Sequence, residues 1–125
     1  MMKKVLFCLF SVSLIASAAK AQLSNSNWKG IIKTENDINV TFDFGKDTLT
    51  VKNIDDNSTI ETMIYALKDS TFTLQKISGV SDCDNSTIGK YLYQVKDNTL
   101  TITLVADACD DRSPVLNNLK LRKAI

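Results

Sequence analysis

The residue types that carry most protein chemistry are thinly represented in this 125-residue chain. It contains no histidine. That removes the commonest general base, the Ser-His and Cys-His nucleophile pairs, and the commonest transition-metal ligand. Its four glycines, Gly30, Gly45, Gly79 and Gly89, are scattered, so no glycine-rich loop is available to cradle a phosphate. The acids are the one group that clusters. Glu35, Asp37, Asp55, Asp56, Asp82, Asp84, Asp107, Asp110 and Asp111 all fall in segments that read as connections between strands. Such a set could hold Ca²⁺ or form a negative rim that draws a cationic ligand. It could equally consist of solvated turn residues, with Asp and Asn serving turn geometry. No EF-hand spacing links the acids, which favours turns. None is expected on the inner face of the fold, which argues against catalysis. No cofactor or metal is implied.

The two ends of the chain bound the rest. Lys3 and Lys4, the apolar run Val5–Ile15 and Ala19-Lys20-Ala21 have the layout of an export signal, with cleavage expected after Ala21. The apolar run is shorter than the roughly 20 residues of a membrane-spanning helix. Residues 22–125 then form one domain, of ordinary size for a single core. Losing Lys3, Lys4 and Lys20 from the 15 basic residues leaves 12 against 14 acids, a net charge of −2. There is no basic run and no expected basic face, so nucleic acid and anionic membrane are not expected partners. Cys8 leaves with the signal. Cys83 and Cys109 remain, and two cysteines in an exported domain commonly pair. The alternative is two free buried thiols.

The elements follow from a repeat. Phe42–Val51 (FDFGKDTLTV), Tyr65–Leu74 (YALKDSTFTL) and Tyr93–Ile102 (YQVKDNTLTI) share one pattern: aromatic, any, apolar, three turn residues, then Thr and apolar twice. Alternate side chains of a strand point to opposite faces, so the apolar residues go one way and the threonines the other. The last two copies also share an upstream DNSTI, at Asp56–Ile60 and Asp84–Ile88. By alignment of the copies, Leu67 and Phe72 occupy the places of Phe44 and Leu49, and of Val95 and Leu100. This sets Met63, Tyr65 and Leu67 inward, in a register where a slip of one residue would invert the whole strand. A lone strand precedes the hairpins, beginning at Trp28, and another follows near Asn118–Ala124. Eight sequential strands with one apolar face and no long crossover predict an all-β fold, an eight-stranded antiparallel up-and-down β-barrel. An interior of that size is filled by side chains or holds one small ligand. In such a meander both cysteines lie in connections at the same end, opposite the three repeated turns, and so do the acids.

The expected interior contains Trp28, Phe42, Tyr65, Phe72, Tyr91 and Tyr93 among aliphatic residues. These six could line an apolar pocket whose phenol groups orient a ligand. They could instead be a filled core whose hydroxyls bond to loops. Four sparse motifs suggest a family. Trp28-Lys29-Gly30 opens the first strand. Gly89-Lys90-Tyr91, Leu100-Thr101 and Asp107-Ala108-Cys109-Asp110-Asp111-Arg112 then form a G-x-Y, L-T and D-x-C-x-x-R series. With Cys83 upstream, the chain resembles the small exported lipocalin-like proteins of the calycin group, although Ser26 stands where their G-x-W motif has glycine. The resemblance implies a barrel that binds a small apolar molecule or an extracytoplasmic protein, without cofactor. Within that frame Arg112 or Arg122 could cap Trp28 by a cation–π contact. Arg122 is favoured because it lies on strand eight beside strand one, at the barrel rim given its outward parity relative to Leu121. Arg112 is expected to pair with Asp107 or a neighbouring acid.

Overall fold

Each copy of the repeated hairpin folds as its alternation requires. The computed structural model describes residues 23–124 and contains eight strands in chain order. They are β1 (Ser26–Lys33), β2 (Asp37–Phe44), β3 (Thr48–Asn53), β4 (Thr59–Lys68), β5 (Thr71–Gly79), β6 (Ile88–Lys96), β7 (Thr99–Ala106) and β8 (Leu119–Lys123). Every strand is antiparallel to its chain neighbour, and β8 returns to pair with β1. The sheet is a closed up-and-down barrel. The export signal expected over residues 1–21 lies outside the described residues.

The register agrees with the alignment of the three copies. Phe44 faces Leu49, Leu67 faces Phe72, and Val95 faces Leu100 across their hairpins. Met63 and Tyr65 are buried and Leu67 is half-buried, as the inward assignment requires. The threonines at 48, 50, 71, 73, 99 and 101 sit half-exposed on the opposite face. The tight turns use residues that tolerate a left-handed backbone. Asp69 has φ 55°, and Asp97 and Asn98 have φ 52° and 59°.

The aromatic that opens a hairpin also ties it to the hairpin before. The Tyr65 hydroxyl donates to the Gly45 carbonyl in the first turn, and the Tyr93 hydroxyl donates to the Asp69 carbonyl in the second at 3.3 Å. Their backbone N–H groups repeat the link, to Asp47 O at 3.0 Å and Ser70 O at 2.9 Å. Phe42, which opens the first hairpin, has no earlier hairpin turn to reach and needs no hydroxyl. The hairpin-turn end is closed further by Leu23 and Trp28, both fully buried. Ser26 Oγ accepts the Trp28 indole N–H at 2.8 Å and donates to the Leu23 carbonyl, so a serine here gives the buried indole its partner.

Two features differ from the sequence reading. A single helical turn, α1 (Ser113–Leu116), lies between β7 and β8, with a proline in its first turn and Leu116 buried. Four residues are too few to show helical periodicity. Arg122 does not cap Trp28. It follows the fully buried Leu121, so strand alternation turns it outward, where it is exposed and registered against Lys29 and Thr99. The Trp28 ring lies inside.

Candidate functional site

The middle of the barrel is filled by one aromatic cluster. Phe44 packs edge-on to Tyr65 and Phe72, with ring centroids 5.2 and 6.2 Å apart, and lies 6.4 Å from Phe42. Phe72 in turn stacks on Tyr91 and tilts against Tyr93, each at 5.8 Å. Such contacts contribute about 0.5–1.5 kcal/mol apiece beyond burial. Packing stops short at the other end. There Ile32, Ile38, Val51, Ile60 and Met63 of β1 to β4 line the space above Phe42. With Val80, Val115 and Leu116 they bound a cavity of about 410 Å³, within the size range of small-molecule sites.

The polar groups at this cavity come from the strand ends and the disulfide loops: Thr34, Glu61, Ser81, Asp110, Asp111 and Arg112. Glu61 corrects the expectation that no acid would lie on the inner face. It is 7% exposed and alternates with Met63 and Tyr65 on the same face of β4. Its carboxylate accepts the Ser81 hydroxyl and, at 3.3 Å, the Ser81 N–H. Extending the period-two pattern two residues back from Met63 would have found it.

Arg112 pairs with Asp107, as expected. The guanidinium grips the carboxylate with two bonds, Nε to Oδ2 at 2.6 Å and Nη2 to Oδ1 at 3.0 Å, while Nη2 also donates to the Thr87 carbonyl at 3.1 Å. The Tyr91 hydroxyl donates to Asp107 Oδ2, and the Cys109 N–H donates to Oδ1 at 3.0 Å. Burial works against ionisation of Asp107, but hydrogen bonds from Arg112, Tyr91 and Cys109 outweigh it and hold the carboxyl below its usual range. Burial, followed by the adjacent Asp107 carboxylate, pushes the Tyr91 phenol far above its usual value. Burial likewise opposes the charge on Arg112, but Asp107 outweighs it and raises the guanidinium further. Gly89 makes the arrangement possible, since a Cβ there would collide with the Asp107 carboxylate.

Cys83 and Cys109 form a disulfide, with Cα atoms 5.4 Å apart. It ties the β5–β6 connection to the β7–β8 connection, and the Asp82 N–H donates to Asp111 Oδ2 at 2.7 Å beside it. Other acids at this end serve their own turns. Asp56 Oδ1 accepts from the Ser58 N–H and hydroxyl at 3.0 and 2.6 Å, and Asp84 Oδ1 from those of Ser86 at 2.9 Å each. The repeated Asp-Asn-Ser is therefore a repeated side-chain-capped turn. These bonds lower both carboxyl pKa values. Among the described residues, no three of His, Cys, Asp and Glu converge as a metal site would require.

Of the six residues expected around a ligand, only Phe42 lines the cavity. Tyr65, Phe72, Tyr91 and Tyr93 belong to the filled middle, and every phenol is bonded to protein. Trp28 lies at the closed end beside the turn residues Asp97 and Asn98. The geometry separates these five from the cavity because they anchor the deeper layers of the barrel. Comparison with protein-family models, curated proteins and solved structures gave no match to this chain. A basic surface, unexpected from the sequence, also emerges. Lys29, Lys33, Lys120, Arg122 and Lys123 come together around a shallow outer groove where β1 meets β8. Lys29 and Lys33 of β1 are far in sequence from Lys120, Arg122 and Lys123 of β8, and the two groups meet only because the barrel closes. Among the described residues, no helix is long and apolar enough to cross a membrane.

Proposed function

We propose that this chain is an exported, lipocalin-like binding protein that takes a small hydrophobic molecule at the disulfide end of the barrel. The observation that carries the reading is the cavity of about 410 Å³, walled by aliphatic side chains in a barrel otherwise packed with aromatics. Apolar walls with a few placed polar groups are the usual make-up of a small-molecule site. The reading also rests on the signal-like residues 1–21, which imply a secreted or periplasmic protein, and on a disulfide suited to an oxidising compartment. Binding rather than catalysis fits a chain without histidine, whose buried acids are held by Ser81 and by Arg112.

The test is native mass spectrometry of protein purified from its host, with and without a denaturing wash. A co-purifying apolar molecule, released by denaturation and absent from a Val51→Phe variant, is the expected result. Protein that is empty from its host and binds no hydrophobic probe would defeat the reading. A second reading, an interaction barrel acting on another extracytoplasmic protein, draws on the exposed Ile64, Ile77, Ile88 and Leu92 of β4, β5 and β6. Pull-down of one defined partner, lost on replacing Ile64 and Ile88 by Ser, would favour it.

A further inference from the structure

The cations gathered at the barrel seam have no counter-charges. Lys29, Lys33, Lys120, Arg122 and Lys123 line one groove of about 900 Å³ on the outside of the barrel. They are five of the 12 basic residues in 22–125, whereas Asp55 alone of the 14 acids reaches the lining. Lys29 and Arg122 are exposed and registered directly opposite each other, and like charges so placed repel. Among the described residues none of the five closes an ion pair, including Lys33, which is registered against Asp37. Positive charge is thus concentrated here on a chain whose residues 22–125 carry a net charge of −2.

The lining narrows what supplies the missing anions. Lys29 and Lys33 stand four residues apart on β1, about 13 Å, and Lys120 and Arg122 two apart on β8, about 7 Å. Charges spread at that spacing do not converge on one small anion. Among the described residues no aromatic lines the groove, so it lacks the stacking platform of single-stranded nucleic acid sites. The cations line a concavity, which a flat bilayer does not enter. Alternate side chains of an extended peptide, by contrast, recur about every 7 Å, the interval between Lys120 and Arg122. Ile31 and Ile54, 47% and 44% exposed, share the lining with the amides of Asn39 and Asn118, which suit a peptide's apolar side chains and backbone. We propose that this groove docks an extended acidic segment of another protein, with carboxylates at alternate positions that pair with the β1 and β8 cations. The surface lies outside the barrel, so the inference stands whether or not the cavity binds a small molecule.

The test is fluorescence anisotropy at low ionic strength on protein purified from its host. One labelled probe is a peptide of five Glu-Thr repeats, and the other is its isomer with the five glutamates first. The alternating peptide should bind more tightly than the isomer and weaken as salt rises. Lys29→Gln with Arg122→Gln should weaken it about tenfold, the loss of two exposed ion pairs. Lys68→Gln with Lys90→Gln, which removes as much charge from β4 and β6, should leave it unchanged. In the wild type, backbone amide resonances of β1 and β8 should shift with the peptide while those of β4 to β6 do not. That readout holds even if the Lys29 and Arg122 variant fails to fold. No binding of the alternating peptide, equal binding of the two isomers, or equal losses in the two double variants overturns the inference. So does tighter binding of oligothymidylate or of phosphatidylglycerol vesicles than of the peptide.

Discussion

Three tyrosines with similar burial differ in what their hydroxyls hold. Tyr65 and Tyr93 donate to neutral backbone carbonyls, whereas Tyr91 donates to the Asp107 carboxylate. Bonds to charged groups contribute more than neutral ones. Tyr91→Phe should therefore cost about 1.5–3 kcal/mol and Tyr93→Phe about 1 kcal/mol in urea unfolding. Equal costs would mean that Asp107 gains nothing from the phenol. The same carboxylate makes stability depend on pH. Its folded pKa lies below the unfolded one, so the stability it confers is complete above the unfolded value of about 3.9 and is lost as pH falls through the folded value. Urea midpoints should thus decline below about pH 4, and Asp107→Asn should flatten that part of the profile. Tyr91 acts at the other extreme: with a raised pKa, its contribution is complete below about pH 10 and is lost above it.

Among the elements, the disulfide joins the two longest connections, residues 80–87 and 107–118. Closing a loop over a separation of 26 residues should stabilise the fold by about 3 kcal/mol in the chain-entropy view. Reduction, or paired Cys83→Ala and Cys109→Ala, should raise hydrogen exchange in those connections before β2 to β7. A uniform rise across all strands would show instead that the bond holds the whole barrel. Strands, register and disulfide were legible in the sequence because period-two alternation repeats in three copies, each checking the others. The cavity was not. It depends on where side-chain volume runs out between β1–β4 and the β7–β8 connection, and a pattern of apolar and polar positions carries no volume. Interior aromatics suggested a pocket, but aromatics are what fill a barrel this narrow. The cavity-facing residues are the smaller aliphatics, Ile32, Ile38, Val51 and Ile60, whose apolar positions read as ordinary core. The basic groove was hidden for a related reason, since only closure of β8 on β1 brings Lys29 beside Arg122.

At the scale of the whole molecule, closure rests on the shortest pairing in the sheet. β1 runs against β2 from Ser26–Phe44 to Lys33–Asp37, but meets β8 in register only at Trp28–Lys123 and Lys29–Arg122. Gly30 lies against this seam, and a Cβ there would run into the Leu121 side chain and lie 3.1 Å from the Lys120 carbonyl. A Gly30→Val variant should lose hydrogen-exchange protection in β8 and the first half of β1 while β3 to β6 keep theirs; unchanged protection in β8 would show that the seam tolerates the side chain. An opened seam has a further consequence. A closed barrel has no free strand edges, which is the main defence of an all-β protein against pairing with its own copies. Parting β1 from β8 would create two at once, the edge of β8 lying beside the threonine-rich, β-prone β7. The same variant should therefore scatter more light on storage at high concentration, and the small glycine at position 30 would be guarding against self-association as much as holding the fold.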